Sequence, residues 1–345
     1  MLWSLSHLKI QINYLKNNMR YILLFLFFHS FSQNNVCFEI TENPNQNILA
    51  LQLFTKYINV LGCVEIYAEP SISDDKVLHA AAITAELLDN DEDGVIDDSN
   101  VELILSNKKT IMPLLSIEGS NAEDVLFSNF DELEKDYNYC AGAVLYSDEI
   151  YPQNPGFWSY DASVEEILHT INSCSQVEIY SDIFGLEPNS SYLSVAMDEA
   201  RGGQFLSIPN QYPEDSWFHY DDETCDYECM AIEYLYWCIV SNMGLLDNNF
   251  ICNGISNEWE LCTQQDFQNT DLLMYAILTD SEYHIPQLAP DGNYCTENSD
   301  LNRIKSIKTQ KIQSFDILGK PVGPNQKGLI LELFNDGKVK LKFRK

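Results

Sequence analysis

The chain has 345 residues, 45% of them hydrophobic, and carries 52 acidic against 20 basic residues. That length fits one large domain plus a small one, with apolar material for a sizeable core. A net charge of −32 excludes nucleic acid and anionic membrane surfaces as partners and favours cations.

The charge is unevenly spread. Residues 1–33 hold Lys9, Lys16 and Arg20 and no acid, and residues 302–345 hold eleven Lys/Arg against Asp316, Glu332 and Asp336. Residues 34–301 keep six basic and 49 acidic residues, a formal charge of −43. Three units follow: a leader and signal peptide over 1–33, an acidic, mostly helical main domain over 34–301, and a small β-rich domain over 302–345.

In the leader, Arg20 precedes the apolar run Tyr21 to Gln33. This is the pattern of an export signal, too short to span a bilayer, with cleavage expected near Ser32 and Gln33. Met19, just before it, is an alternative start. No other segment is long and apolar enough to cross a membrane. All ten cysteines follow the leader, and an even count in an exported chain predicts disulfides. Their pairing is not deducible, and a zinc site at Cys225-x-x-x-Cys229 is the less favoured alternative.

Apolar spacing predicts helices over 48–61 and 76–88, and a helix followed by a short linker over 100–117. A strand is expected over 142–151 and a Pro/Gly loop over 152–157. Further helices are expected over 163–173, with Ser163 or Asp161 as cap, and over 192–200, 228–244 and 270–279. The fold class is thus mainly α (α+β), disulfide-containing, with one calcium loop and a small all-β C-terminal domain.

Residues 89–100 read DNDEDGVIDDSN. Asp89, Asp91, Asp93 and Asp97 occupy loop positions 1, 3, 5 and 9, Gly94 sits at the sharp turn, and Val95 offers a carbonyl at position 7. Converging oxygens on a tight loop suit a hard cation. The stretch resembles an EF-hand or dockerin-like loop, which implies calcium, in a structural role. Position 12 departs from that pattern. It is Asn100 in place of a bidentate Glu, with Glu102 or Asp98 as substitutes.

Residues 165–169 read EEILH. Glu165 and His169 stand at i and i+4 and share a helical face. The stretch resembles the zinc-protease helix His-Glu-x-x-His with its first histidine replaced. By position, that resemblance makes Glu165 and His169 zinc ligands and Glu166 the base that activates water. Two later stretches bear on it. Residues 196–203 read AMDEARGG; Glu199 lies where gluzincin-like proteases place a third ligand, with Asp198 behind it. Arg201, the lone arginine between 34 and 301, would bind a substrate anion or pair with an acid such as Asp198. Residues 217–222 read WFHYDD, where His219, Tyr220 and Asp222 would add a ligand or an oxyanion donor. Glu233, on an aromatic helix, needs a partner, either the metal or Arg201. His79, among alanines, reads as a packed core histidine.

EExxH, MDEARGG and the YDD…CDYEC…EY run together resemble a family of secreted proteins with an LDNDEDG loop and no assigned activity. The tail resembles the type A sorting domain of the Bacteroidetes type IX secretion system through Phe315 to Lys320, Gly328 to Ile330 and Asn335 to Val339. It implies that machinery as a partner and a secreted or cell-surface location reached through the periplasm. Two function classes stay open. One is a divergent zinc-dependent hydrolase, metallopeptidase-like, with Glu166, Arg201 and Tyr220 in the chemistry. The other is a non-catalytic, calcium-stabilised binding protein using aromatics such as Trp158, Trp217 and Trp259 on a protein or carbohydrate. A di-iron site would need a second Glu-x-x-His, which the sequence lacks.

Overall fold

The computed structural model describes residues 38–294, 311–316, 320, 322, 323, 327–334 and 339–344. The expected leader and signal peptide, Cys37, Cys295 and residues 335–338 lie outside the described residues.

A five-stranded sheet organises the main part. Strands β1 (Thr41–Glu42), β2 (Lys56–Val60) and β3 (Val64–Ala68) pair antiparallel in sequence. Strands β4 (Thr110–Leu115) and β5 (Leu145–Tyr146) continue the sheet in parallel. Parallel strands need a crossover, and helices supply it. Between β3 and β4 run α1 (Asp74–Leu88), the acidic loop and α2 (Ser99–Asn107). Between β4 and β5 run α3 (Asn121–Ser128) and α4 (Phe130–Tyr137). Alternation along the strands divides the core. Ile66, Ala68, Met112 and Leu114 join a large cluster with α1 and the later helices. Tyr67, Ile111 and Leu115 face the other way, with Ala122 and Leu126 of α3.

After β5 come α5 (Ser163–Ile171), a π-helical turn (Asn172–Gln176), α6 (Tyr192–Ala200), α7 (Tyr227–Met243), α8 (Asn249–Ile255), α9 (Gln264–Thr270) and α10 (Leu272–Leu278). Helix α7 is buried on nearly all sides, starts on the Asp226 cap and stops at left-handed Gly244. Farther on, β6 (Lys311–Asp316), β7 (Gly328–Phe334) and β8 (Val339–Arg344) form a three-stranded antiparallel sheet.

The chain is therefore mixed helix and strand, with a more central sheet than the sequence suggests. The expected helix over 48–61 is not formed. Leu49–Leu51 make one 3-10 turn and Lys56–Val60 make β2. The expected linker after α2 is β4, whose six residues are all buried. The strand over 142–151 shrinks to Leu145–Tyr146 and a 3-10 turn. Helix α5 is capped by neither expected residue, because Ala162 stands at its N-cap. Asp161 turns inward instead. It accepts from Tyr151 N at 3.0 Å, Gly156 N at 2.7 Å and Ser163 Oγ at 2.7 Å, and meets His79 Nε2 at 3.1 Å. His79 is thus a core histidine with a specific partner, pinning α1 to the start of α5.

Among the described residues three disulfides are present: Cys140–Cys174, Cys225–Cys229 and Cys252–Cys262. The second replaces the zinc alternative at those two cysteines. Cys63 and Cys238 are free and buried. No helix among the described residues is long and apolar enough to cross a membrane.

Candidate metal centre

Helix α5 buries Val164, Ile167, Leu168 and Ile171, and packs on α1, β4 and α7. That apolar face fixes the helix and turns Glu165, Glu166 and His169 toward α7. From α7 come Glu233 and, one turn on, Tyr236. One ligand atom each of Glu165, His169 and Glu233 lies within 4.8 Å of the others. His169 Nε2 is 3.5 Å from Glu233 Oε1. Two donors sharing a tetrahedral ion at about 2.1 Å would lie about 3.4 Å apart. The spacing therefore fits a shared cation.

The polar inventory points the same way. His169 is 6% exposed, and neither ring nitrogen has a hydrogen-bond partner. A buried imidazole rarely goes unpaired, because leaving it so costs about 1–3 kcal/mol. Burial pushes its pKa down to about 4, so the ring is neutral at ordinary pH. The contact with Glu233 is thus no ion pair. It sets a free nitrogen lone pair against a carboxylate, which a cation between them would satisfy.

The carboxylates are under the opposite pressure. Burial, opposed by a Tyr236 hydrogen bond and helped by Glu258 and Glu149, raises Glu165 to about 7. Burial and the neighbouring Glu165, Glu233 and Glu149 raise Glu166 to about 9. Burial, Glu165 and Glu258 raise Glu233 to about 8, against a Tyr220 hydrogen bond. Crowded acids raise one another, and a divalent ion reverses that logic.

The frame around the cluster is close-fitting. Gly142 lies against the last turn of α5, where a Cβ would stand 2.6 Å from the His169 carbonyl oxygen and 2.7 Å from Thr170 Cα. Only glycine permits that approach. The Cys140–Cys174 disulfide ties the same segment to the π-helical turn after α5.

Of the expected site residues, Glu165, Glu166, His169 and Tyr220 meet at this place. Glu199 does not, because it is exposed on α6. Glu233 stands where Glu199 was expected as third donor. Its signal was a carboxylate on an aromatic helix. Asp198 accepts from Tyr227 Oη at 2.9 Å and Gln204 Nε2 at 3.0 Å. Arg201 pairs with neither Asp198 nor Glu233. It is fully buried between the rings of Phe205 and Tyr212 and donates to the Phe205 carbonyl at 2.7 Å. Tyr212 in turn donates to the Tyr220 carbonyl at 2.6 Å, so Arg201 supports the segment that carries Tyr220. His219 Nε2 is taken by the Ser216 carbonyl at 2.8 Å, and Asp222 is exposed. Of the three tryptophans, Trp259 is fully buried and Trp158 and Trp217 are half-buried. Tyr236 and Glu258 carried no signal in the sequence, since only folding brings them to α5.

The acidic loop is built differently. Asp89, Asp91 and Asp97 bring one oxygen each within 4.8 Å of the others. Asp89 is buried and accepts from Asp93 N, Gly94 N and Tyr294 Oη, at 3.0, 2.8 and 2.6 Å. Asp93 accepts from Val95 N, and Asp97 from Asn90 N. Gly94 takes the turn at φ +90°. Asn100 sits in the first turn of α2 with its N–H on Asp98, whose other oxygen accepts from Tyr180. Asn100 and Asp98 thus serve as helix start and cap, and Glu102 is exposed.

No family model matches the chain, and comparison with curated proteins and with solved structures finds no similar protein.

Proposed function

We propose that the chain is an exported, calcium-stabilised, metal-dependent hydrolase of metallopeptidase type. Glu165, His169 and Glu233 hold a divalent ion, zinc by the resemblance of α5, and Glu166 is the general base. The observation that carries this reading is the buried His169 ring, both nitrogens free, facing two carboxylates. A bound ion would supply Lewis acidity to a water and a carbonyl oxygen. The chain's own residues supply the proton traffic. The Glu166 carboxylate takes a proton from the attacking water as its oxygen bonds to the carbonyl carbon. The same proton passes to the leaving amine as the carbon–nitrogen bond breaks. The half-buried Tyr220 hydroxyl, on Glu233, is a neutral donor for the developing negative oxygen.

Export rests on the leader and on the sorting-type tail, which would engage the type IX secretion machinery. Calcium binding rests on the grouped oxygens of Asp89, Asp91 and Asp97.

The test is metal content by plasma mass spectrometry on the full chain. One transition-metal ion per chain is expected, lost in His169→Ala and Glu233→Ala and kept in Glu199→Ala. Glu166→Gln keeps the ion and abolishes peptide hydrolysis. Calcium alone, indifferent to His169→Ala, would leave a calcium-braced binding protein in place of a hydrolase.

A further inference from the structure

We infer that the centre takes a cationic substrate, a peptide bearing Lys or Arg beside the reacting bond, recognised by Glu258, Asp222 and Glu149. The inference rests on the hydrolase reading above and names the substrate class of that same site.

Two segments build one side of the rim. Phe218 pairs with Trp259 in an antiparallel bridge, and His219 N donates to the Glu258 carbonyl at 2.7 Å. This places Asp221, Asp222 and Glu258 together, and Asn257 Nδ2 donates to Asp221 at 3.2 Å. Glu258 is half-buried among these acids. Glu149, on the 3-10 turn after β5, is a further acid acting on Glu165 and Glu166; its carboxylate accepts from Tyr146 N at 3.2 Å, and its carbonyl from Ala162 N at 2.8 Å at the head of α5. The charges acting most on Glu165, Glu166 and Glu233 are carboxylates: one another, Glu149, Glu258 and Asp222. One divalent ion leaves such a group strongly negative.

No basic side chain of the main domain offsets it. Lys56 pairs with Asp74, Lys108 with Glu178 and Lys135 with Asp131. Lys76 donates to the Ser147 carbonyl, Lys109 lies over the Tyr139 ring, and Arg201 is enclosed by Phe205 and Tyr212. These six are all the Lys and Arg between 34 and 301. The missing cation therefore comes from outside residues 34–301. The unpartnered His169 ring, independent of the acids, marks the place as a ligand site. Half-buried groups of one sign of charge concentrate the opposite sign.

The experiment uses the full-length Glu166→Gln chain, metal-loaded, with fluorescein-labelled octapeptides read by anisotropy. The three peptides are alike except for Lys/Arg, Ala or Asp/Glu at two positions. The basic peptide is expected to bind at least about tenfold tighter than the neutral one at low ionic strength, with the gap closing in high salt. The Glu258→Gln/Asp222→Asn double variant should erase the preference while the metal content stays the same. Equal affinity for all three peptides would overturn the inference. So would loss of a second metal ion from the double variant, which would make the rim acids ligands. If the chain holds no transition metal, the hydrolase reading fails separately, and a charge-dependent basic preference would then stand alone.

Discussion

The acidic loop and the α5–α7 centre are both groups of close-set carboxylates, yet they are opposite kinds of object. In the loop, nine consecutive residues supply the acids, and their oxygens are largely occupied by the loop's own N–H groups and by Tyr294. In the centre, the donors come from helices 64 residues apart at His169 and Glu233, and the ring between the acids has no hydrogen-bond partner. The loop already uses its acids as a turn, although burial and neighbouring acids raise Asp91 and Asp97 too. The centre is frustrated until something charged arrives. Local hydrogen bonds thus hold a fold, while unspent ones mark a place of business with a ligand.

The strongest way to break that comparison is to cut the pin between the two regions. Asp161→Ala removes the acceptor that joins His79 of α1 to the head of α5, and leaves two backbone N–H groups unpaired. A loss of about 3–5 kcal/mol in unfolding free energy by urea titration is expected. Burial alone would raise the Asp161 carboxyl, but His79 and the N–H donors hold it below the usual range. Its contribution is therefore present above the ordinary carboxylate pKa and lost as pH falls through the lowered one.

Next come two substitutions of opposite sign, both read in chelator. Asp89→Ala should destabilise the metal-free chain by about 1–3 kcal/mol, because three donors lose their acceptor. Glu233→Gln should raise its melting temperature at pH 8, because it relieves crowding by Glu165 and Glu258. If both variants destabilise alike, the two acid groups are the same kind of object.

A pH series sharpens the point. Glu165, Glu166 and Glu233 are raised in the folded chain, so the folded state binds more protons than the unfolded one. Their stabilisation is fully present below the ordinary value of 4.5 and is lost as pH rises toward about 9. Metal-free melting temperature should fall over that window, and excess zinc should flatten the slope. Last comes Cys225→Ser/Cys229→Ser, with a loss in the middle of the range expected for Asp89→Ala. A bridge spanning four residues constrains little of the unfolded chain, about 2 kcal/mol, and closes the first turn of α7, one turn before Glu233.

Much of this was legible in the sequence where a pattern is local. Helices α1, α5, α6 and α7 follow from their spacing within a residue or two. The acidic loop announces itself by Gly94 and alternate aspartates. The sheet was harder. Residues 48–61 carry apolar residues at helical and alternating positions alike, and β2 wins by pairing with β3. Strand β4 contains Pro113, which argues against a central strand. It is tolerated because β5 pairs only at Leu114 and Leu115, leaving that stretch open beyond the Thr110–Cys140 bridge. The third donor was misplaced for a similar reason. Glu199 fits a sequence spacing, whereas Glu233 is selected by helix packing. Arg201, expected to meet an anion or an acid, is held by a carbonyl and two rings.

Gly142 touches no ligand, yet it determines how near the β5 segment can come to α5. In a library of every single substitution, selected for metal retention, position 142 should be depleted as severely as 169 and 233. A mutational map would then show a contour of intolerance reaching beyond the donors to a backbone contact behind them. Anyone transplanting this centre into another scaffold would have to copy a missing methyl group along with the side chains.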